Sequence, residues 1–410
     1  MLLLLNQQDP TWKERLADKV SQSLLKPFDE SILQFLHELS KTILRDKTMR
    51  LYPELMAMAH WLRPVHLKEI QQQYARLEKA DTILLPRGVV LHFAPSNVDT
   101  IFIYSWVLSM LVGNINIVRL SQNRGPQIEV LLSLLQRLLE KDEYAAIKSR
   151  TVIVSYDHNE AITAYLSSLC QMRVIWGGDE TVKRIRSIPL PPAATEMVFA
   201  DRFSCAALSA EAVLELEDKP LQELLRNFYN DAFWFDQLAC SSPKLVCWVG
   251  AKEERIVAAK DKFWRGLQQI IPENSPLKIP AVGIKRMTAA YHYATLPAAL
   301  QASVSGTELP ARVQIARLEP EMREMHCGAG LFLELHAGSL SELAEQLTLK
   351  DQTLTVFGFA KTELVQFVRS APRRSVDRIV PIGQALDFSP VWDGYNLLQY
   401  FSREVAVNVL

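Results

Sequence analysis

Residues 88–120 read GVVLHFAPSNVDTIFIYSWVLSMLVGNINIVRL, and this stretch decides the fold class. The apolar runs at 88–93 and 115–120 are typical of buried strands, whereas residues 98–111 have the length of a helix. An amphipathic helix is predicted next, over residues 127–139. Because a helix that joins two strands returns the chain to the same end of a sheet, this order predicts parallel pairing.

The alternation of strands and helices continues beyond residue 120. Residues 151–155 and 172–176 are again strand-like, a helix is predicted near 160–169, and another helix follows Gly178. Parallel strands connected in this way are covered by helices on both faces of their sheet. We therefore predict an α/β fold that begins with a Rossmann-type domain.

Changes in the pattern suggest the domain boundaries. Apolar residues at helical spacing predict a helical N-terminal region, and the strand and helix alternation restarts after Phe199 as a second α/β domain. The predicted divisions are 1–85 for the helical region, 86–205 for the Rossmann-type domain, 206–375 for the second domain and 376–410 for a C-terminal segment that returns to the first domain or joins an oligomer interface.

The charge balance narrows the classes of partner. The 410 residues include 45 Lys plus Arg and 46 Asp plus Glu, so the chain has no overall field that would attract nucleic acid or an anionic membrane. The opening Met1–Leu5 is too short for a signal peptide, and no segment has about 18 uninterrupted apolar residues. We expect a cytoplasmic protein without integral membrane association or nucleic-acid binding.

The five cysteines are Cys170, Cys205, Cys240, Cys247 and Cys327. Their odd number and the absence of CxxC spacing argue against a disulfide framework and a closed zinc site, so we expect free thiols and no metal. Cys240 lies in a polar turn just before the apolar run 244–249. A thiolate there would suit attack on a carbonyl carbon, whereas a buried structural cysteine is the alternative.

Three further turns follow predicted strands, where ligands bind in parallel sheets. Asn97 either points its amide into a cleft or caps the next helix. The run 119–125 carries two cations, which either bind a ligand or are solvated surface charge. Gly177 and Gly178 either let backbone N–H groups approach a phosphate or form a tight turn with positive φ.

Taken together, these segments resemble the aldehyde dehydrogenase superfamily and, within it, the acyl-CoA reductases of the LuxC type. The resemblance covers most of the chain. It is carried by the runs 86–98, 113–121, 176–180 and 199–204, the segment around Cys240, and the C-terminal runs 376–383 and 386–395.

The resemblance implies reduction of a fatty acyl thioester, held by CoA or another carrier, to the aldehyde. Cys240 would form the acyl-enzyme, and the Asn97 amide would help to bind the oxyanion. The implied cofactor is NADPH, with NADH as the alternative, because an arginine at position 119 can hold a 2′-phosphate. An acyl-protein synthetase is an implied partner, and a homo-oligomer is the implied assembly. The implied cofactor-binding residues are Ser96, Arg119, Ser121, Gly177 and Gly178.

Two departures from the superfamily pattern bear on the chemistry. Phe199 occupies the position of the glutamate that activates hydrolytic water, which favours reduction over oxidation, although Glu196 is near in sequence. The glutamate that binds the nicotinamide ribose has no clear counterpart, since Glu324 is displaced from the motif. His326 and Cys327 are adjacent, and a metal site or a dyad there is the less favoured interpretation.

Two other classes of function stay open at this point. In one, Cys240 relays an acyl group between carriers without redox chemistry. In the other, the chain is a non-catalytic assembly protein that keeps the fold and uses its helical region for oligomerisation.

Overall fold

The structure is a computed structural model that describes residues 2–4, 11–95, 101–122, 124–273, 275–304 and 308–408. The chain forms two compact units. The first comprises Met1–Ala200 and Phe388–Leu410, and the second comprises Asp201–Asp387.

The first unit contains a six-stranded parallel sheet with the order β1-β5-β4-β3-β6-β7. The predicted α/β fold and its parallel sheet are confirmed. In the part of this unit that ends at Ala200, the strands are β1 (Leu2–Leu4), β2 (Thr82–Pro86), β3 (Val89–Phe93), β4 (Ile115–Leu120), β5 (Thr151–Ser155), β6 (Met172–Trp176) and β7 (Thr195–Phe199). β2 is not part of the six-stranded sheet.

Helices cover this sheet and fill the N-terminal region. They are α1 (Trp12–Val20), α2 (Glu30–Arg45), α3 (Pro53–Trp61), α4 (Pro64–Ala75), α5 (Ile101–Leu111), α6 (Pro126–Leu139), α7 (Ala145–Ser149), α8 (Glu160–Leu169) and α9 (Asp179–Arg186). Helix α5 is apolar around its whole circumference and buried from Phe102 to Leu111, because it packs on β3 and β4 and also on α2. β2 lies inside the region that was predicted to be helical, since the run Thr82–Pro86 is apolar without helical spacing.

The second unit has a seven-stranded sheet with the order β10-β11-β12-β9-β8-β13-β14, parallel except for the antiparallel pair of β10 and β11. Its strands are β8 (Phe203–Ser209), β9 (Leu245–Val249), β10 (Ala299–Ser303), β11 (Ala311–Ile315), β12 (Leu331–Ala337), β13 (Asp351–Phe357) and β14 (Arg378–Pro381). Its helices are α10 (Ala210–Glu215), α11 (Asp218–Phe233), α12 (Glu253–Ile270), α13 (Pro280–Ala294), α14 (Pro320–Glu324), α15 (Leu340–Gln346) and α16 (Lys361–Ser370). Separate apolar cores lie on the two faces of this sheet.

The boundary between the units falls after Ala200, ahead of the predicted position at 205, because β8 is one strand of the second sheet. The predicted C-terminal segment also divides. Its first part contains β14, which pairs with β13 in the second unit. The part from Phe388 onward belongs to the first unit and contains β15 (Val391–Trp392), β16 (Tyr395–Asn396), α17 (Leu397–Tyr400) and β17 (Ser402–Ala406).

Aromatic rings and one strand pair attach this last segment to the first unit. β17 pairs antiparallel with β2. The Phe388 ring stacks on Tyr104 with centroids 5.4 Å apart, and the Tyr104 hydroxyl donates a hydrogen bond to the Ser389 carbonyl. The first unit is therefore assembled from the two ends of the chain. In the described parts of the chain, no helix has both the length and the apolar character needed to cross a membrane.

Candidate active site

A cavity of about 730 Å³ opens at the carboxyl ends of the parallel strands in the first unit. The chain proceeds from β3 to β4 and β5 on one side, and β6 and β7 lie on the other, so the cavity is at the switch point where such sheets bind ligands. Four of the five predicted cofactor-binding residues line it. These four are Arg119, Ser121, Gly177 and Gly178. The other lining residues are Ala94, Pro95, Gln122, Tyr156, Asp157, His158, Trp176, Thr181 and Arg184.

Two guanidinium groups give this cavity a cationic wall. Arg119 donates a hydrogen bond to the Tyr156 carbonyl at 3.3 Å, and its guanidinium lies over the Tyr156 ring at 5.4 Å. Burial lowers the pKa of Arg119, and the positive charge of Arg184 lowers it as well, against the opposite influence of Tyr156 and Asp157. Guanidinium groups carry positive charge at physiological pH, so the cavity suits an anionic ligand.

The two glycines after β6 do not need a left-handed backbone. Gly178 has a φ of −63° and is the N-cap of α9. The φ of Gly177 is not positive either. The alternative of a tight positive-φ turn is therefore wrong. A Cβ on Gly177 would lie 3.2 Å from Cγ2 of Thr181, so glycine here permits close packing on the first turn of α9.

A smaller cavity of about 140 Å³ shares Arg119, Tyr156 and Trp176 with the larger one. It is also lined by Ile185 of α9 and by Ile188. Apolar side chains beside a cationic wall suit a ligand that has both a flat apolar group and a phosphate.

Cys240 lies in the second unit, in a turn between α11 and β9. All five cysteines are free thiols. Cys170, Cys205 and Cys247 are buried, whereas Cys240 is partly exposed. Burial raises the pKa of the Cys170 thiol to about 11, which makes that thiol a poor nucleophile at neutral pH. Cys327, also partly exposed, has its pKa raised by burial.

The backbone immediately before Cys240 is strained. Phe235, Asp236 and Gln237 form a short left-handed turn with φ of 57°, 54° and 62°. This conformation costs roughly 1–2 kcal/mol for each residue that is not glycine. Such strain persists only where surrounding contacts fix it, and it concentrates at functional sites.

A second left-handed run holds the first in place. Gly328, Ala329 and Gly330 have φ of 68°, 60° and 75°. The Ala329 N–H donates to the Asp236 carbonyl at 2.9 Å, and the Gly330 N–H donates to Oε1 of Gln237 at 2.9 Å.

The Gln237 side chain connects this pair of turns to the strands behind them. It is fully buried, and its Nε2 donates to the carbonyls of Pro243 at 2.9 Å and Leu331 at 3.0 Å. One amide thus fixes both sides of the turn that contains Cys240.

The Cys240 turn is also attached to the start of β8. Oγ of Ser204 donates to the Cys240 carbonyl at 2.6 Å. The Lys244 N–H donates to the Ser204 carbonyl at 2.9 Å. The five residues from Cys240 to Lys244 are therefore anchored at both ends on one serine.

Phe199 and Glu196, the two residues compared above with the hydrolytic glutamate, both make other contacts. Phe199 ends β7 and stacks on Trp176, with ring centroids 3.7 Å apart and an interplanar angle of 10°. Glu196 accepts a hydrogen bond from Nε of Arg173 at 2.7 Å and pairs with Nε of Arg186 at 2.9 Å. The Glu196 carboxylate is thus already engaged by two guanidinium groups.

The region of His326 and Cys327 gives no support to a metal site or a dyad. Nδ1 of His326 accepts the Gly328 N–H at 3.1 Å, and burial, with the charge of Lys244, lowers the pKa of His326 to about 3. Within the described ranges, no group of three or more His, Cys, Asp or Glu could hold a metal ion. Glu324 ends α14 with an exposed side chain.

The remaining sequence candidates have these positions. Ser96 and Asn97 lie outside the described residues. His92 is a buried histidine of β3, and its ring nitrogens contact Oγ of Ser105 at 2.8 Å and Oδ1 of Asn116 at 3.0 Å. Burial lowers the pKa of His92 to about 4.

Gln237, Lys244 and Arg184 are functional candidates that the sequence motifs did not indicate. The first two are only a few residues from Cys240, and that proximity was the available signal. Arg184 lies one helical turn after Glu180, on the helix that begins at the paired glycines.

Comparison with known proteins places this geometry in a family. A family model described as acyl-CoA reductase (LuxC) matches residues 4–404. Among curated proteins, no sequence match was found.

Solved structures of aldehyde dehydrogenases share the fold. An NAD-dependent aldehyde dehydrogenase from Sinorhizobium meliloti superposes with a TM-score of 0.67 at 15% identity, over 98% of this chain and 87% of that one. Methylmalonate-semialdehyde dehydrogenase from Oceanimonas doudoroffii gives 0.64 at 13% identity, over 93% and 86%. Lactaldehyde dehydrogenase from Escherichia coli gives 0.61 at 11% identity, over 96% and 86%. At these identities the similarity establishes the fold.

Proposed function

Since the chain belongs to the acyl-CoA reductase (LuxC) family, we propose that it reduces a fatty acyl thioester to the aldehyde through an acyl-enzyme on Cys240. The observation that carries this proposal is the placement of Cys240, a partly exposed thiol on a strained and firmly anchored turn. Strain of this kind positions a reacting group at the expense of stability.

In the first step, the Cys240 thiolate attacks the carbonyl carbon of the acyl thioester. A C–S bond forms, and the carbonyl electron pair moves to oxygen as a tetrahedral oxyanion. Collapse of this species breaks the bond to the carrier sulfur, which leaves as a thiolate, and Cys240 retains the acyl group as a new thioester. The family resemblance assigns the oxyanion to the Cys240 N–H and the Asn97 amide, and each such donor contributes about 3–4 kcal/mol.

The implied nicotinamide cofactor fits the residues of the larger cavity. Arg119 and Arg184 provide positive charge for its phosphates, Ser121 provides a hydroxyl, and Gly177 and Gly178 leave space beside α9. When bound, the cofactor supplies the hydride that converts the thioester to the aldehyde level. Cys240 then leaves as a thiolate, which releases the aldehyde and restores the free enzyme.

NADPH is the proposed form of the cofactor. A 2′-phosphate adds two negative charges, and the pair of guanidinium groups in the cavity would compensate them. NADH lacks this group and would gain less from Arg119. The comparison of the two cofactors is therefore a direct test of the arginine pair.

The acyl-enzyme is proposed to resist hydrolysis. Phe199 presents a ring where a water-activating carboxylate would be needed, and Glu196 is held by two arginines. The intermediate consequently persists until it is reduced or transferred to another thiol.

The substrate is proposed to be a medium- or long-chain acyl group on CoA or another carrier, and an acyl-protein synthetase is a proposed donor. A cytoplasmic homo-oligomer is the proposed state of the protein.

The test is intact mass spectrometry after mixing the protein with tetradecanoyl-CoA, with Cys240→Ala in parallel. We expect a mass gain of one tetradecanoyl group that requires Cys240 and that disappears, with release of tetradecanal, when NADPH is added. An adduct that NADPH leaves unchanged would instead indicate acyl transfer without redox chemistry. An equal adduct on the alanine variant would contradict the role of Cys240.

A further inference from the structure

Lys244 ends the turn that begins at Cys240, and its ammonium group reaches the start of β8. Its side chain is largely buried, and Nζ donates a hydrogen bond to the Arg202 carbonyl at 3.3 Å. The same ammonium lies over the Phe203 ring at 5.7 Å from the centroid. These two contacts fix the charge against residues 202–203 at the start of β8.

Cys240 is anchored on the neighbouring residue of the same strand. Ser204 donates to the Cys240 carbonyl, and the Lys244 N–H donates to the Ser204 carbonyl. The Cys240 carbonyl and the Lys244 ammonium therefore both bind the segment 202–204. A negative charge on Cys240 raises the pKa of Lys244.

The charge on Lys244 has little other compensation. Among the residues that the structure describes, no carboxylate lies within ion-pair distance of Nζ. Charge on Asp201 and Cys205 also raises the pKa of Lys244, and the charge of Lys244 lowers the pKa of His326. The Arg323 guanidinium also lies over the Phe203 ring, 5.9 Å from its centroid, but it is paired with Asp351.

Two opposing influences act on the pKa of Lys244. Burial lowers the pKa of Lys244, whereas charge on Cys240, Asp201 and Cys205 raises it. A buried ammonium without an ion-pair partner is unfavourable, and an anion on Cys240 relieves it.

We propose that Lys244 is a positioning residue for the chemistry of Cys240: its ammonium stabilises the Cys240 thiolate before the acyl group arrives. This inference rests on the proposed function only because that function has the thiolate attack an acyl carbonyl. It adds a source for the nucleophile's charge that does not depend on a histidine, since His326 holds a Gly328 N–H on Nδ1 and is neutral.

The test is the pH profile of Cys240 alkylation by iodoacetamide on the full chain, measured on the peptide that contains Cys240 by mass spectrometry. In Lys244→Met, the midpoint of the profile should move up by about one pH unit, and the rate near pH 7 should fall about tenfold, since a nearby opposite charge shifts the pKa of an ionisable group by one unit or more. Lys244→Arg keeps the charge and should give a smaller shift.

Lys252→Met is the matched control, because Lys252 is an exposed lysine at the other end of β9. It should leave the profile unchanged. An unchanged profile in Lys244→Met, with a circular dichroism spectrum like that of the parent, would overturn the proposal, as would an equal shift in Lys252→Met. If Lys244→Met does not fold, Lys244→Gln gives the same neutral test.

The alkylation needs neither acyl donor nor cofactor. A Lys244-dependent profile without aldehyde formation would therefore reject the proposed function alone. Aldehyde formation with a Lys244-independent profile would reject this inference alone.

Discussion

The cavity around Arg119 and the turn around Cys240 solve different problems with different backbones. The cavity is formed by the ends of regular strands, and its two glycines have ordinary φ values. The Cys240 turn depends on two interlocked left-handed runs at 235–237 and 328–330. Binding a large anionic ligand requires space and charge, which regular elements supply. Presenting one sulfur atom in a fixed place requires local strain that many contacts must balance.

The largest expected effect separates the two regions completely. Cys240→Ala should lower aldehyde formation on the order of 10⁴-fold or more, because loss of a covalent nucleophile removes the reaction path. NADPH affinity, measured by fluorescence titration, should stay within about twofold of the parent value. Weak NADPH binding in the alanine variant would show that the two regions are not independent.

The second prediction concerns the anchoring of the turn. Gln237→Ala removes the side chain that contacts Gly330, Pro243 and Leu331 and leaves these buried groups without it. We expect a loss of about 3 kcal/mol of stability, at roughly 1 kcal/mol for each abandoned group, read from urea denaturation.

The control for that experiment is Gln366→Ala, an exposed glutamine on α16 of the same unit. It should change stability by less than about 0.5 kcal/mol. Equal stability of the two variants would mean that the left-handed runs hold each other without the Gln237 amide.

The third prediction concerns the cavity alone. Arg119→Met should weaken NADPH binding about tenfold or more and NADH binding less, because a hydrogen bond to a charged group contributes about 1.5–3 kcal/mol. The rate of Cys240 alkylation should not change. Lys183→Met, an exposed lysine on α9 that pairs with Glu180, is the control. Equal losses for the two cofactors would contradict a 2′-phosphate contact.

The smallest expected effect is a pH dependence of stability in the second unit. Asp231 on α11 accepts the N–H groups of Gly383 at 2.6 Å and Ala385 at 3.0 Å, and burial raises its pKa to about 7. A carboxyl group whose pKa is raised by folding contributes stability that is fully present below about pH 4 and is lost as the pH rises through about 7.

The thermal midpoint should therefore fall by about 2–4 °C between about pH 5 and about pH 8, and Asp231→Asn should reduce that fall. Glu223→Gln, at an exposed position on the same helix, should leave the fall unchanged. A fall that is identical in Asp231→Asn would assign the pH dependence to other groups.

The sequence was sufficient where regular periodicity controls structure. The strands at 89–93, 115–120, 151–155 and 172–176 were predicted to within one residue, because buried parallel strands are continuous apolar runs. The position of the larger cavity followed from the same strands, since it opens at their carboxyl ends.

The sequence was insufficient where the backbone departs from its usual conformations. Phe235, Asp236 and Gln237 carry no glycine that would indicate positive φ, so the left-handed turn depends on tertiary contacts with 328–330. A lysine at the start of a strand usually points into solvent, and nothing near Lys244 in the sequence indicates the contact with residues 202–203. The compact units divide after Ala200 and not at the predicted 205, because β8 is as apolar as the strands before it.

The way the two units share the chain also affects when each can form during synthesis. Residues 201–387 are one uninterrupted piece, whereas the first unit needs both ends of the chain, since β17 must pair with β2. On the ribosome, the second unit can fold as soon as its last residue emerges. The first unit must wait for β17, which pairs with β2, and a chain truncated after Asp387 should keep one folded unit and expose the edge of the other to aggregation.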